Sequence, residues 1–286
     1  MSNLDAIMAQ YEKNQKSGKS QMTKEERMKR YFTLLLGDKE SSGQRRIRIL
    51  PTKDGSSPFK EGWFHEVRVK GYTQKFYDPG LNDNEASPLT DIYNSLKSTG
   101  RKEDEEMAKE YRPRKFYILK VIDRDREEDG IKYWRFKDSY KKDGIYDKII
   151  PIFRAKGDIT DIDTGRDLVI ELVKTKNPKG KEYTTVATIM QDDATPLSTN
   201  ADTVKKWLED ESTWKDVYTK KPKEYLEAIG RGETPQWDNN LGKFVYLNST
   251  SDENSFGGGA PVAKNATTQQ TSVVVEDDYS DDDLPF

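Results

Sequence analysis

Hydrophobic and polar positions follow two periods along the chain. Near the start, Leu4, Ile7, Met8 and Tyr11 recur at the spacing of one helix face, with Ser2 or Asn3 as a cap and Gly18 beyond. Thr23-Lys24-Glu25-Glu26 has capping-box spacing and predicts a second short helix over Thr23–Arg30. From there the period drops to two. In Arg45–Pro51 the alternation sets Ile47 and Ile49 against Arg46 and Arg48, and Trp63–Lys70 alternates again. Lys115–Asp123 and Lys132–Lys137 read as strands joined by a polar turn around Glu127–Gly130. Asp167–Lys174 and Glu182–Met190 form a third hairpin about Asn177-Pro178-Lys179-Gly180. Between them lie a helical Thr90–Ser98 and the charged stretch Arg101–Glu110; Thr203–Glu209 and Pro222–Ile229 read as helices, with Pro222 as a first-turn residue. After Leu247 the residues turn to Ser, Asn, Gly, Thr and Gln, the composition of a flexible linker. The pattern predicts an α+β, β-dominant protein: an arm at 1–30, a core at 31–250 with an insert at about 58–110, and a tail at 251–286 expected to be disordered.

Composition narrows the chemistry. Charged residues make up 35% of the 286 positions, there is no Cys, and the one histidine is His65. That removes disulfides, thiolate metal sites, cysteine nucleophiles and any mechanism needing two histidines. No stretch approaches the ~18 apolar residues of a membrane span, and Leu34-Leu35-Leu36 is too short for a signal-peptide core. An intracellular protein without membrane association is expected. Net charge is −3, but residues 251–286 hold eight acids against one base, Lys264, which leaves 47 bases and 43 acids ahead of them. A mildly basic body with an acidic tail is a pattern of nucleic-acid proteins.

The strongest chemical signal is aromatic and basic residues mixed within strands. Arg112, Arg114, Lys115, Phe116 and Tyr117 show it, as do Tyr133, Trp134, Arg135 and Lys137, and a third group comprises Arg68, Lys70, Tyr72, Lys75, Phe76 and Tyr77. Single strands need this combination, flat rings to stack bases and cations to follow phosphates. Arg46 and Arg48 add cations on the first strand. Because a strand alternates faces, about half of these side chains are expected to serve the core. Signs of an enzyme are weak. Asp123-Arg124-Asp125-Arg126-Glu127 resembles a calcium loop, but Glu128 stands where the turn requires Gly. Asp158, Asp161, Asp163, Glu171 and Lys174 hint at a magnesium nuclease, yet the Glu-x-x-Lys spacing sends its two side chains to opposite strand faces. No phosphate-cradling Gly-Lys-Ser/Thr loop is present.

Taken in order, these segments resemble the T4-type phage single-stranded DNA-binding (helix-destabilising) protein family. Gln44–Lys53 resembles its first core strand. Lys115–Asp123, the polar turn and Tyr133-Trp134-Arg135-Phe136-Lys137 resemble its central hairpin, where an aromatic-Arg-Phe triplet sits in the DNA cleft. Asp158-Ile159-Thr160-Asp161 and Leu168–Lys174 resemble the following turn and strand, so the resemblance covers about residues 31–190. It implies an OB-fold, a five-stranded barrel, with a small inserted subdomain, peripheral helices and a basic aromatic-lined cleft. It also implies an N-terminal arm for self-association along DNA and an acidic tail that meets replication and repair proteins. The implied role is to coat and protect single-stranded DNA and remove its secondary structure during replication, recombination and repair, in the cytoplasm of the infected bacterial host.

Two features depart from that family. Its prototype holds zinc with one His and three Cys. Here His65 corresponds to that His, and Ser87-Pro88-Leu89-Thr90 replaces the Cys-Pro-x-Cys element. No structural zinc and no cofactor are expected; Pro58, Trp63, Tyr72, Leu89, Ile92 and Tyr93 are expected to hold the insert by packing, with His65 an ordinary strand residue. The arm also lacks the prototype's Lys-Arg-Lys-Ser-Thr motif. The end, Asp281-Asp282-Asp283-Leu284-Pro285-Phe286, resembles instead the tip of bacterial single-stranded DNA-binding proteins, where an acidic run leads to a Pro-Phe plug for enzyme pockets. The rival reading is an OB-fold protein-interaction adaptor without strong DNA binding.

Overall fold

The computed structural model describes residues 22–37, 39–177, 180, 182–238 and 243–247. The arm helix expected around Leu4–Tyr11, the turn residues Pro178 and Lys179, and the tail at 251–286 lie outside the described residues. Along the chain run α1 (Lys24–Arg30), β1 (Ser42–Ile49), β2 (Lys60–Val69), β3 (Tyr72–Tyr77), α2 (Pro79–Asp83), α3 (Pro88–Ser98), α4 (Lys102–Tyr111) and β4 (Pro113–Asp123). After a 3-10 turn at Glu127–Asp129 come β5 (Ile131–Lys137), α5 (Ile145–Lys156), β6 (Arg166–Lys176), β7 (Glu182–Ala194) and α6 (Ala201–Glu209). The series ends with α7 (Trp214–Val217), α8 (Lys223–Gly230), β8 (Thr234–Asp238) and β9 (Lys243–Leu247). The protein is mixed α+β and strand-rich, and its mostly antiparallel sheet is not closed into a barrel.

Packing divides the chain into two units. The first takes Met1–Glu61 and Phe116–Thr219; the second takes Gly62–Lys115 and the chain from Lys220. In the first unit the strands pair antiparallel in the order β5-β4-β1-β6-β7. Ile47 and Ile49 point inward, together with Leu119, Val121, Trp134, Phe136, Leu168 and Ile170. Helix α5, which the sequence reading missed, lays Ile149 and Ile152 on this core. Its apolar residues Ile145, Ile149 and Ile152 do recur at helical spacing, but Pro151 within the run argues against a helix. Helix α1 forms as its capping box predicts: Glu26 N–H donates to Thr23 Oγ1 at 3.2 Å and Thr23 N–H to the Glu26 carboxylate at 2.8 Å.

A buried ionic cluster ties the far end of this unit together. Arg48 is 0% exposed; its Nε lies 3.1 Å from Asp167 Oδ1, and its Nη2 donates to the carbonyls of Thr195 (2.5 Å) and Pro196 (3.2 Å). Arg124 grips the same carboxylate bidentately, at 3.0 Å through both Nε and Nη2. Burial lowers the Arg48 pKa while the Asp167 charge opposes that shift. The approach is close enough to require a glycine: a Cβ on Gly165 would stand 2.2 Å from the Asp161 carbonyl and 2.8 Å from Arg48 Nη1.

The second unit contains the β2–β3 hairpin, α2 to α4, α8 and the β8–β9 pair. Val67, Phe76, Leu89, Tyr225, Leu226 and Ile229 make its core. His65 is not an ordinary strand residue. It is fully buried, and both ring nitrogens face acceptors: Nδ1 lies 2.7 Å from the Tyr111 carbonyl and Nε2 3.2 Å from Asp78 Oδ2. Thr90 Oγ1 donates to the same Asp78 oxygen at 2.9 Å, while Asp78 Oδ1 accepts from Gly80 and Leu81 N–H and caps α2. Burial alone would raise the Asp78 carboxyl; the hydrogen bond and charge of His65, with Ser87 and Thr90, hold it at about 2. The insert is therefore held by a polar lock as well as by Leu89 and Ile92, and Tyr72, expected to pack, is 68% exposed.

Candidate nucleic-acid interface

The register of β4 and β5 decides which side chains face the main core and which face the opposite side. Leu119 pairs with Trp134 and Tyr117 with Phe136, and all four belong to the core of the first unit. One residue out of phase, Phe116 pairs with Lys137, Ile118 with Arg135 and Lys120 with Tyr133, on the opposite face. Period-two alternation thus splits the expected stacking residues. Trp134 and Tyr117 are removed from the interface, Tyr117 stacking on Tyr146 at 4.3 Å and 11° and Trp134 meeting Phe32 edge-on at 5.7 Å. Phe116, Tyr133, Arg135 and Lys137 lie on the opposite face with Lys120, and of these Phe116 and Tyr133 are buried.

On that face cations lie over rings. The Arg135 guanidinium stands 4.2 Å from the centroid of Tyr218 and 5.7 Å from that of Phe116; Lys137 Nζ lies 6.0 Å from Phe116 and Lys120 Nζ 5.9 Å from Tyr133. Tyr133 and Tyr218 are both buried. The Tyr218 hydroxyl donates to the Tyr133 carbonyl at 3.1 Å, and the Tyr133 hydroxyl shares a 2.9 Å hydrogen bond with Ser212 Oγ. Burial raises both phenols, Tyr218 up to about 12 with the Arg135 charge opposing. Burial pushes the Lys120 ammonium down, and Asp210, which accepts from it at 3.3 Å, pushes back. The segment carrying Asp210, Ser212 and Tyr218 gave no chemical signal in the sequence, because nothing local ties it to a hairpin about 80 residues earlier.

The remaining sequence-derived residues are scattered. Arg46 is exposed on β1 and pairs with Asp192 at 3.0 Å; Arg48 is removed from the phosphate-binding set, since its guanidinium is consumed by Asp167 and two carbonyls. In the second unit Arg68, Lys70 and Tyr72 are exposed at the β2–β3 hairpin tip, where Lys70 (φ 48°) and Gly71 (φ 84°) make the turn. Lys75, Phe76 and Tyr77 are buried there and are likewise withdrawn; Phe76 and Tyr77 fill the interior, and burial raises the Tyr77 phenol. Arg112 is exposed after α4, Arg114 pairs with Glu66 at 3.0 Å, and Lys115 is half-buried. Two exposed rings were missed. Tyr140, 99% exposed beside Lys141 and Lys142, follows β5, and Tyr183 on β7 pairs in register with Thr175, between Lys174 and Lys176. A tyrosine in a polar, lysine-rich loop is a readable sign of exposure. Asp281, Asp282, Asp283, Leu284, Pro285 and Phe286 lie outside the described residues.

The suspected nuclease carboxylates serve their own turns: Asp158 Oδ1 accepts from Thr160, and Asp161 Oδ1 from the N–H groups of Asp163 and Thr164. Among the described residues no helix is long and apolar enough to cross a membrane. No family model matches the chain, and no curated protein does.

Proposed function

We propose that this is a single-stranded DNA-binding protein, non-enzymatic, which coats and protects single strands during replication, recombination and repair. The observation that carries the reading is the second face of the β4–β5 hairpin, where Phe116 and Tyr133 alternate with Lys120, Arg135 and Lys137; both rings are buried in the structure, beneath cations and the segment that carries Tyr218. Rings beside cations on one strand surface are what a flexible, unpaired polynucleotide can use, whatever its sequence. Strand order supports an OB-type reading of the first unit. Counting β1, β4, β5, β6 and β7 as strands one to five, the pairings are 3-2-1-4-5 with α5 between the third and fourth. An OB-fold has this connectivity with one added pairing between strands three and five, is often partly open, and binds oligonucleotides on the face of strands two and three. That is the face in question. We further read the tail residues Asp281, Asp282, Asp283, Leu284, Pro285 and Phe286 as a contact for replication and repair proteins, and the phage resemblance as the setting for the activity.

The test is a titration of the full chain with a labelled oligo-dT and with a duplex of equal length, each at two salt concentrations. Preferential binding of oligo-dT, with log affinity falling by about 0.7 per phosphate contact against log salt, supports the reading. Equal affinity for duplex, or none for either, rejects it. A second reading, a protein-interaction adaptor, draws on one observation: Asp210 and Tyr218 already occupy the face's cations.

A further inference from the structure

The outer face of the hairpin is occupied by a segment of the same unit, and the chemistry of that occupation is specific. Helix α7 has only four residues, too few to be stable alone. Its placement therefore depends on the burial of Trp214 and Val217 and on the side chains that flank it. At one end the Asp210 carboxylate sits between two cations, accepting from Lys120 Nζ at 3.3 Å and lying 3.5 Å from Arg30 Nη2. At the other end the Tyr218 ring lies under the Arg135 guanidinium at 4.2 Å. Helix α1 supports the far side: the Tyr31 hydroxyl donates to the Val217 carbonyl at 3.2 Å, and Arg30 Nη1 donates to Ser212 Oγ at 2.6 Å.

An anion held by a Lys and an Arg, and a flat ring under a guanidinium, are the two contacts that a nucleotide offers such a face. Resting on the reading of this face as the single-strand site, we propose that residues 210–219 form a displaceable strap that mimics a nucleotide, with Tyr218 in place of a base and Asp210 in place of a phosphate. Binding of a single strand then exchanges these internal contacts for equivalent external ones. Because Trp214 and Val217 are buried, release has a cost, and the observed affinity is the intrinsic one reduced by the fraction of molecules with the strap open. The strap also supplies selectivity: a stacked duplex has no free base to take the place of Tyr218.

The experiment is hydrogen exchange of the full chain, with and without saturating oligo-dT, read on peptides covering 210–219. Exchange there is expected to speed up on binding while β6 and β1 stay protected. In parallel, Asp210→Asn is expected to bind oligo-dT about threefold or more tightly. Its salt dependence should steepen by up to about 1.4 in log–log slope, as Arg30 and Lys120 become available to phosphate. A strap that only stabilises the fold would lower the melting temperature of Asp210→Asn without steepening the slope. Oligo-dT binding with unchanged or slower exchange at 210–219 overturns the strap and leaves the single-strand reading intact. Absence of any oligo-dT binding overturns both.

Discussion

The two faces of the β4–β5 hairpin draw on the same residue types and do different things. Inward, Tyr117, Trp134 and Phe136 pack against one another and α5. Outward, Phe116 and Tyr133 lie beside Lys120, Arg135 and Lys137, with Asp210 bonded to Lys120 and Tyr218 under Arg135. The inner face stabilises through area removed from water, a contribution that is insensitive to salt. The outer face is held by charge and hydrogen bonding, which a charged ligand can replace.

The contrast can be broken by substitutions one residue apart. Trp134→Ala is expected to cost about 3–5 kcal/mol of stability, measured by chemical denaturation, because it opens a cavity in the core. Arg135→Ala, which loses the stacking on Tyr218 but opens no core cavity, is expected to cost less stability than Trp134→Ala and to weaken oligo-dT binding by about 1–3 kcal/mol, or about five- to 150-fold. If Trp134→Ala binds weakly while fully folded, or Arg135→Ala unfolds the protein, the assignment of faces is reversed. Lys137→Ala, on the rim, should lower the slope of log affinity against log salt by only about 0.7.

A second pair of sites sharpens the same lesson about buried charge. Arg48–Asp167 in the first unit and His65–Asp78 in the second both bury a carboxylate against a nitrogen donor away from solvent. Asp167→Ala leaves the buried Arg48 guanidinium without its carboxylate and Arg124 with Glu127 alone, and is expected to cost about 3–5 kcal/mol. The His65 lock is pH-dependent in a defined direction. The Asp78 pKa falls from 3.8 unfolded to about 2 folded, so its stabilisation is complete above about pH 4 and is lost as pH falls toward 2. That difference amounts to about 2 kcal/mol. Acid titration of the unfolding free energy checks it, and the acid-side slope should shrink in Asp78→Asn.

Much of this protein is set by residues close together in sequence. Helix α1 follows from Thr23 and Glu26 bonding each other's backbone, and the strand positions of β1, β4 and β5 follow from their alternation. The turn after Asp161 follows from one carboxylate and the two N–H groups beyond it. Such hydrogen bonds span three or four residues, so their pattern is written in the order of the letters. The same alternation states that Trp134 and Arg135 face opposite ways, but not which way is inward. That choice was made by β6, α5 and Phe32 filling one side. Likewise Arg46 and Arg48 read as equivalent cations until Asp167, Arg124 and two carbonyls enclosed one of them. Helix α5 stabilises against a core its own sequence does not contain, and Pro151 hid it from local rules. The covering of the outer face by Asp210 and Tyr218 joins residues about 80 to 90 positions apart. Only the folded chain brings such partners together, because their energy comes from desolvation and charge pairing in a space that no single segment encloses.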